Sequence, residues 1–174
     1  MEEQVIIVNS SDQPLGVMPK MEAHIKGVLH RAFSIFIFNS KNELLMHQRA
    51  LEKYHSGGLW TNTCCSHPRP GEATETAAIR RLQEEMGFTT EIEELFFFKY
   101  RKKLSNGLIE NEVDHVFVGK YDGNIYPNQE EVITYEYINV EDLQIAVQQH
   151  PERYTEWLKI CLPELLEKLG KWAA

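Results

Sequence analysis

Cysteine is scarce in this chain, with three in 174 residues and two of those adjacent, at Cys64 and Cys65. So few thiols build no disulfide framework, and a reduced, cytoplasmic protein is expected. Long hydrophobic runs are missing as well. Nothing approaches the roughly 20 apolar residues that a membrane span needs. The opening MEEQVIIVNSSD starts acidic and holds only a short apolar run, so neither a secretory leader nor a membrane partner is expected. Positive charge is in deficit: 18 Lys and Arg stand against 26 Asp and Glu, for a net charge of −8. A nucleic-acid partner calls for the opposite sign. A small anionic ligand stays open, because a few local cations can outweigh the global balance. Repeats, low-complexity tracts and linkers are absent too. What remains is an ordinary globular composition, 43% hydrophobic and 25% charged. One domain spanning residues 1–174 can bury a full core at that length.

The apolar pattern mixes strand-like and helix-like runs. Gln4–Val8 reads as a short strand, Ala32–Phe38 (AFSIFIF) as a buried one, and Leu44–Gln48 as the next after a turn at Asn39–Glu43. Arg49–Gly58 is a basic loop carrying Arg49, Lys53 and His55. A helix is predicted from Thr74, as its N-cap, to Gly87, as its C′ residue, with Ile79, Leu82 and Met86 on one face. Glu91–Tyr100 and Glu112–Tyr121 read as strands joined through a turn at Asn106-Gly107, and Thr134–Ile138 as another. Val140–Gln149 and Glu152–Leu169 read as helices, the second interrupted at Pro163. Strands in the middle with helices around them predict a mixed sheet with flanking helices, an α/β/α sandwich of the α+β class.

Chemistry concentrates in Trp60–Phe88, WTNTCCSHPRPGEATETAAIRRLQEEMGF. Its Pro-rich loop holds Cys65 two positions before His67, in a polar setting next to cations that favours a perturbed thiol. Cys64 and Cys161 read as packing residues. In the helix that follows, Arg81 and Glu85 are four apart and share a face. They form either a routine pair of a few tenths of a kcal/mol, or a divalent-cation ligand beside a phosphate contact. Lys20, Arg49 and Lys53 are further phosphate candidates, since Arg binds phosphate in bidentate fashion and Lys as a point charge. Elsewhere, Glu110 and Glu112 are two apart on a strand and point to one face, where two carboxylates repel unless a cation lies between them. With His24, His30 and His67 they suit a five- or six-coordinate transition ion, and zinc, manganese or iron stay open. Each of these residues alone is equally a solvated surface group. Trp60, Tyr100 and Trp157 read as core aromatics.

The helix and the loop before it resemble the Nudix box, G-x5-E-x7-R-E-U-x-E-E-x-G-U with U aliphatic. Glu72, Arg80, Leu82, Glu84, Glu85 and Gly87 fall in register. Ser66 stands where the opening Gly belongs, and Arg81 replaces the Glu after the box Arg. A cation at that position should damage the metal cluster with which Nudix hydrolases activate water. Beyond the box, the runs WTNTCCSHP, IRRLQEEMG and ENEVDHVF resemble the type 1 isopentenyl-diphosphate isomerases, a Nudix-fold family, and the likeness spans nearly the whole chain.

That resemblance implies interconversion of isopentenyl and dimethylallyl diphosphate through a tertiary carbocation, acting on a small isoprenoid diphosphate in a monomer. It implies Cys65 and Glu112 as the catalytic pair, with Tyr100 beside that acid. It implies a transition-metal site of His24, His30, His67, Glu110 and Glu112, taking manganese or zinc. It also implies Glu85 as the ligand of a magnesium ion that arrives with the diphosphate. Lys20, Arg49, Lys53 and Arg81 match the phosphate contacts, and Trp157 matches an aromatic facing the carbocation. The alternatives are a Nudix pyrophosphohydrolase acting on a nucleoside diphosphate derivative, or a non-catalytic Nudix-like binding module.

Overall fold

A nine-residue hydrophobic strand organises the chain. This strand, β3 (His30–Phe38), is preceded by β1 (Gln4–Val8), β2 (Pro14–Pro19) and the short helix α1 (Lys20–Lys26). It is followed by β4 (Glu43–Arg49), β5 (Trp60–Thr61), β6 (Cys64–Ser66), α2 (Thr74–Met86), β7 (Ile92–Lys103), β8 (Ile109–Lys120), β9 (Val132–Asn139), α3 (Val140–Gln149) and α4 (Glu156–Trp172). The structure is a computed structural model and describes residues 1–172.

All nine strands form one mixed sheet. One edge of β3 pairs in parallel with β8 along its whole length, from His30 opposite Glu112 to Phe38 opposite Lys120. The other edge is shared by β1 at His30, by β6 at Phe33–Ile35 and by β4 at Phe38. The pleat then sorts β3 by parity. Phe33, Ile35 and Ile37 pack against Leu82 and Met86 of α2. Phe36 and Phe38 pack with Val116 and Val118 of β8 under Leu158, Cys161 and Leu165 of α4. The sheet is thus covered by helices on both faces, the predicted α/β/α arrangement. Towards its start, the α4-side parity of β3 turns polar, with His30 and Ser34 flanking Ala32.

Three expectations need correction. The WTNTCCSHP run, predicted as loop, contains the two short strands β5 and β6, because Trp60 and Thr61 pair with β4 and Cys65 adds to the free edge of β3 opposite Ser34. Thr74 is the first helical residue; Ala73 holds the N-cap position without a side-chain cap. The final helix does not break at Pro163. The chain makes a 3-10 turn at Pro151–Arg153 and starts α4 at Glu156, and Pro163 lies within it on the exposed side, where water can reach the freed carbonyl.

The C-cap of α2 depends on glycine. Gly87 has φ +76° and donates its N–H to the Gln83 carbonyl, and a Cβ there would lie 2.2 Å from the Tyr126 carbonyl oxygen. We expect Gly87→Ala to cost about 2 kcal/mol or more, lowering the melting temperature by ~5 °C or more. A thermal scan showing an unshifted transition would contradict that packing.

Candidate active site

Parity brings the polar residues to one place. Across β7, β8, β3 and β6, Tyr100 pairs with Glu112, Glu112 with His30, Asp114 with Ala32, and Ser34 with Cys65. Partners in register point to the same face. All but His30 line a pocket of about 100 Å³ together with Arg49, Trp157 and the α2 residues Arg81 and Glu85. A single water needs only ~10–15 Å³ on this measure, so a small ligand fits. Among the described residues, five buried side-chain atoms lack a hydrogen-bond partner: His24 Nε2, His30 Nε2, Arg49 Nε, Arg81 Nε and Asp114 Oδ1. Arg49, Arg81 and Asp114 line this pocket, and His24 and His30 face its Glu112. Buried polar atoms are otherwise almost always paired, so their concentration here marks a binding site.

At one end three imidazoles converge on a carboxylate. His30 Nε2 and His67 Nε2 lie 3.2 and 3.1 Å from Glu112 Oε1, and His24 Nε2 lies 3.8 Å from it. Each partner comes from a different segment: His24 from α1, His30 from β3, His67 from the end of β6, Glu112 from β8. His24 Nδ1 is 2.8 Å from the Lys20 carbonyl, and His30 Nδ1 is 2.8 Å from the Val28 carbonyl. A carbonyl only accepts, so both Nδ1 atoms carry the proton and both Nε2 atoms present a lone pair inward. That is the outer-shell arrangement of metal-binding histidines. The four candidate ligand atoms lie within 4.8 Å of one another. The donor set fits one divalent ion.

Glu110 stands outside this group of four. Its Oε2 is 3.0 Å from the Tyr100 hydroxyl, and its Oε1 is 3.4 Å from His55 Nε2. Burial, with the charge of Glu112 beside it, pushes Glu110 up to about 9. Glu112 moves the other way: burial raises it, but the hydrogen bond with His67 and the other imidazoles facing it outweigh that and hold it well below the usual carboxylate range. Tyr100 has one proton to give, and its hydroxyl lies 2.7 Å from Glu112 Oε2. The geometry is satisfied when neutral Glu110 donates to the phenol oxygen and the phenol donates to ionised Glu112.

Cys65 sits across the pocket with other neighbours than the cations expected from its loop. Its Sγ donates to Asn62 Oδ1 at 3.0 Å, and the indole Nε1 of Trp157 lies 2.9 Å from it. Burial, reinforced by Asp114, pushes the thiol up to about 12. The thiol is therefore perturbed upward and stays protonated at neutral pH, an acid rather than a thiolate. Trp157 is buried but lines the pocket, with the Arg49 guanidinium 5.0 Å from its ring centroid. Cys64 points to the opposite face, where it donates to Glu85 Oε2 at 3.3 Å, and Cys161 packs in the core under α4.

The far end holds the cations, each already engaged. Lys20 Nζ is 2.6 Å from Glu3 and 4.4 Å from the Tyr54 ring centroid. Lys53 pairs with Glu131, and Arg81 bridges Glu84, Glu85 and Glu131. The other Nudix-box charges form a clamp: Arg80 grips both oxygens of Glu72 at 2.8 Å and reaches Glu84 at 3.2 Å. Sequence reasoning missed Glu3, Asn62, Asp114 and Glu131, and it noted His55 only as a loop residue. Asp114 had a signal, since it continues the period-2 series Glu110, Glu112. Asn62 had none, because its role depends on which atoms surround it.

The comparisons agree with this geometry. Residues 28–159 match the NUDIX domain family. The DR0079 protein of Deinococcus radiodurans superposes with a TM-score of 0.71 at 19% identity, covering 84% of this chain and 90% of that one. The fold is therefore that of a Nudix domain. Within that class the chain belongs to the isopentenyl-diphosphate Delta-isomerase family. It is 49% identical over 95% of its length to isopentenyl-diphosphate Delta-isomerase 2 of Aromatoleum aromaticum, covering 88% of that protein. It is 50% identical over 90% of its length to the isopentenyl-diphosphate Delta-isomerase of Pectobacterium atrosepticum, again covering 88%.

Burial lowers His24 to about 4 and His55 to about 2, with His67 adding to the first and Arg49 to the second. Both folded values lie below the unfolded value near 6.5. The unfolded chain therefore takes up these protons first, so stability is full above pH ~6.5 and drains as pH falls towards 4. We expect the melting temperature of metal-stripped protein to fall between pH 7 and pH 4.5, and His55→Gln to flatten part of that fall. A flat profile in the parent protein would contradict the neutral, buried imidazoles.

Proposed function

We propose that this chain interconverts isopentenyl and dimethylallyl diphosphate, with Cys65 and Glu112 as its proton donor and acceptor. The observation that carries the assignment is geometric: Cys65 on β6 and Glu112 on β8 flank β3 from its two edges and line one pocket, the thiol pushed up and the carboxylate held low. Moving a double bond needs such a pair placed across the substrate. Cys65 gives its proton to the terminal CH2 carbon of the alkene, and positive charge forms at the adjacent tertiary carbon. Glu112 then takes a proton from the CH2 beside the diphosphate-bearing carbon, and the double bond re-forms there. One proton enters and one leaves, and the diphosphate is untouched. The reverse reaction starts from the exchanged pair. Tyr100 holds Glu112 in place throughout by its hydrogen bond.

The remaining residues position and protect. Lys20, Arg49, Lys53 and Arg81 receive the diphosphate, which competes with Glu3 and Glu131 for three of those cations. That remote binding energy seats the small alkene. Trp157 supports the cation with its ring, worth roughly 0.5–2 kcal/mol, on a ring whose electrons already face Arg49. When bound, a divalent transition ion held by His24, His30, His67 and Glu112 would fix that carboxylate and tune its proton affinity, and magnesium at Glu85 would neutralise diphosphate charge. Glu110 supports this set through Tyr100. Diphosphate cleavage is disfavoured because Arg81, where a hydrolase carries a carboxylate, is ion-paired with Glu84 and Glu85. A reduced, cytoplasmic setting with no nucleic-acid or membrane partner fits the buried free thiols, and no helix among the described residues is long and apolar enough to cross a membrane.

In deuterated water with manganese and magnesium, deuterium should enter isopentenyl diphosphate while the diphosphate stays intact. Cys65→Ala and Glu112→Gln should each abolish exchange, the first without changing the melting profile. Near-native turnover in Cys65→Ala would remove the thiol from the mechanism, and phosphate release would point back to hydrolysis. We also expect Arg81→Glu to raise KM for the substrate by about tenfold or more, read in steady-state kinetics.

A further inference from the structure

Asn62 lies between β5 and β6, is fully buried, and makes five hydrogen bonds with its side chain. Its Nδ2 donates to the Ile35 carbonyl and to the Cys64 carbonyl, each at 3.0 Å. Both partners can only accept, so the amide has a single orientation and cannot flip. The oxygen is thereby fixed towards the pocket wall. There it accepts from the Thr61 hydroxyl at 2.9 Å, from the Cys65 thiol at 3.0 Å and from the Trp157 indole at 3.2 Å. The indole N–H is shared, since it also lies 2.9 Å from Cys65 Sγ. Thr61 in turn meets Thr155, the residue before α4, at 2.9 Å.

We propose that Asn62 is a positioning residue: its one oxygen holds the Cys65 sulfur at the pocket wall and the edge of the Trp157 ring together. This rests on the assignment of Cys65 as the proton donor. The Cys65 side chain otherwise turns about its Cα–Cβ bond, and proton transfer to carbon tolerates little misplacement of the donor atom. An indole free to rock about its side-chain torsions would move its face relative to the developing cation. Asn62 removes both freedoms with a single acceptor whose own direction is set by two main-chain carbonyls. The diphosphate contacts Lys20, Lys53 and Arg81 are not among its partners. The consequence is a defect in the chemical step with substrate affinity kept.

The test uses full-length protein loaded with manganese and magnesium. For Asn62→Ala we expect kcat to fall by roughly tenfold or more, with KM for isopentenyl diphosphate within about twofold of wild type. The second readout is the indole N–H proton of Trp157, one of three tryptophans, assigned in NMR spectra by its loss in Trp157→Phe. It should move upfield in Asn62→Ala, which a role confined to packing would not require. A wild-type kcat, or an unmoved Trp157 signal, overturns the proposal. Should Asn62→Ala fail to fold, Trp157→Phe keeps the Asn62 bonds to main chain and deletes only the shared N–H donor and part of the ring. A wild-type kcat there overturns it equally. Cys65→Ala separates the two claims. If it loses turnover while Asn62→Ala does not, only the Asn62 role falls; if it keeps turnover, the assignment of Cys65 falls.

Discussion

The parallel pairing of β3 with β8 is the constraint on which the site depends. It places His30 opposite Glu112 and Ala32 opposite Asp114. Antiparallel pairing of β7 then sets Tyr100 beside Glu112, and β6 sets Cys65 beside Ser34 on the other edge. Because the side-chain period is two, a slip of one residue in the β3–β8 register would send Glu112 to the α2 face, among Phe33 and Leu82. The apolar half of the strand guards against such a slip. Phe36 and Val118 are locked under α4, and Ile35 and Ile37 under α2. Hydrophobic packing at one end of a strand thus fixes polar geometry at the other.

Burying so many ionisable groups is costly unless they answer one another. Here the response differs along the pocket. Glu110 takes a proton and becomes neutral, and Glu112 keeps its charge because imidazoles face it. Cys65 stays a thiol. Lys20, Lys53 and Arg81 each hold a carboxylate. The protonation states of the proposed proton donor and acceptor are therefore set by the same burial that makes the pocket.

Much of this was legible in the amino-acid sequence. The AFSIFIF run, the 109–120 region and helix α2 announce themselves by period and by their glycine or turn boundaries. The residues of the His and Glu cluster were legible as types, and the family resemblance linked segments that spacing could not. What escaped depends on three-dimensional neighbours. The short strands β5 and β6 form because β4 and β3 offer them free edges, which no local propensity reveals. The upward shift of Cys65 follows from its burial beside Asp114, whereas its loop sequence suggested cations. Asn62 carries no pattern at all; its importance lies in which carbonyls claim its hydrogens. Glu110 shares a strand face with Glu112, yet a turn of its carboxylate towards Tyr100 and His55 keeps it out of the ligand cluster.

The four metal-ligand candidates are residues 24, 30, 67 and 112, three on α1, β3 and β8 and His67 in the loop after β6. An ion seated among them would act as a reversible cross-link between distant parts of the chain. Closing such long loops costs chain entropy that a cross-link removes from the unfolded state, as a disulfide does. In a protein whose three cysteines are all free, the ion would take the place of a covalent staple. It would pin the N-terminal hairpin and the seven-residue helix α1, which is too short to hold itself, onto the sheet. Metal supply in the cell would then govern how long the folded chain persists as well as whether it is active.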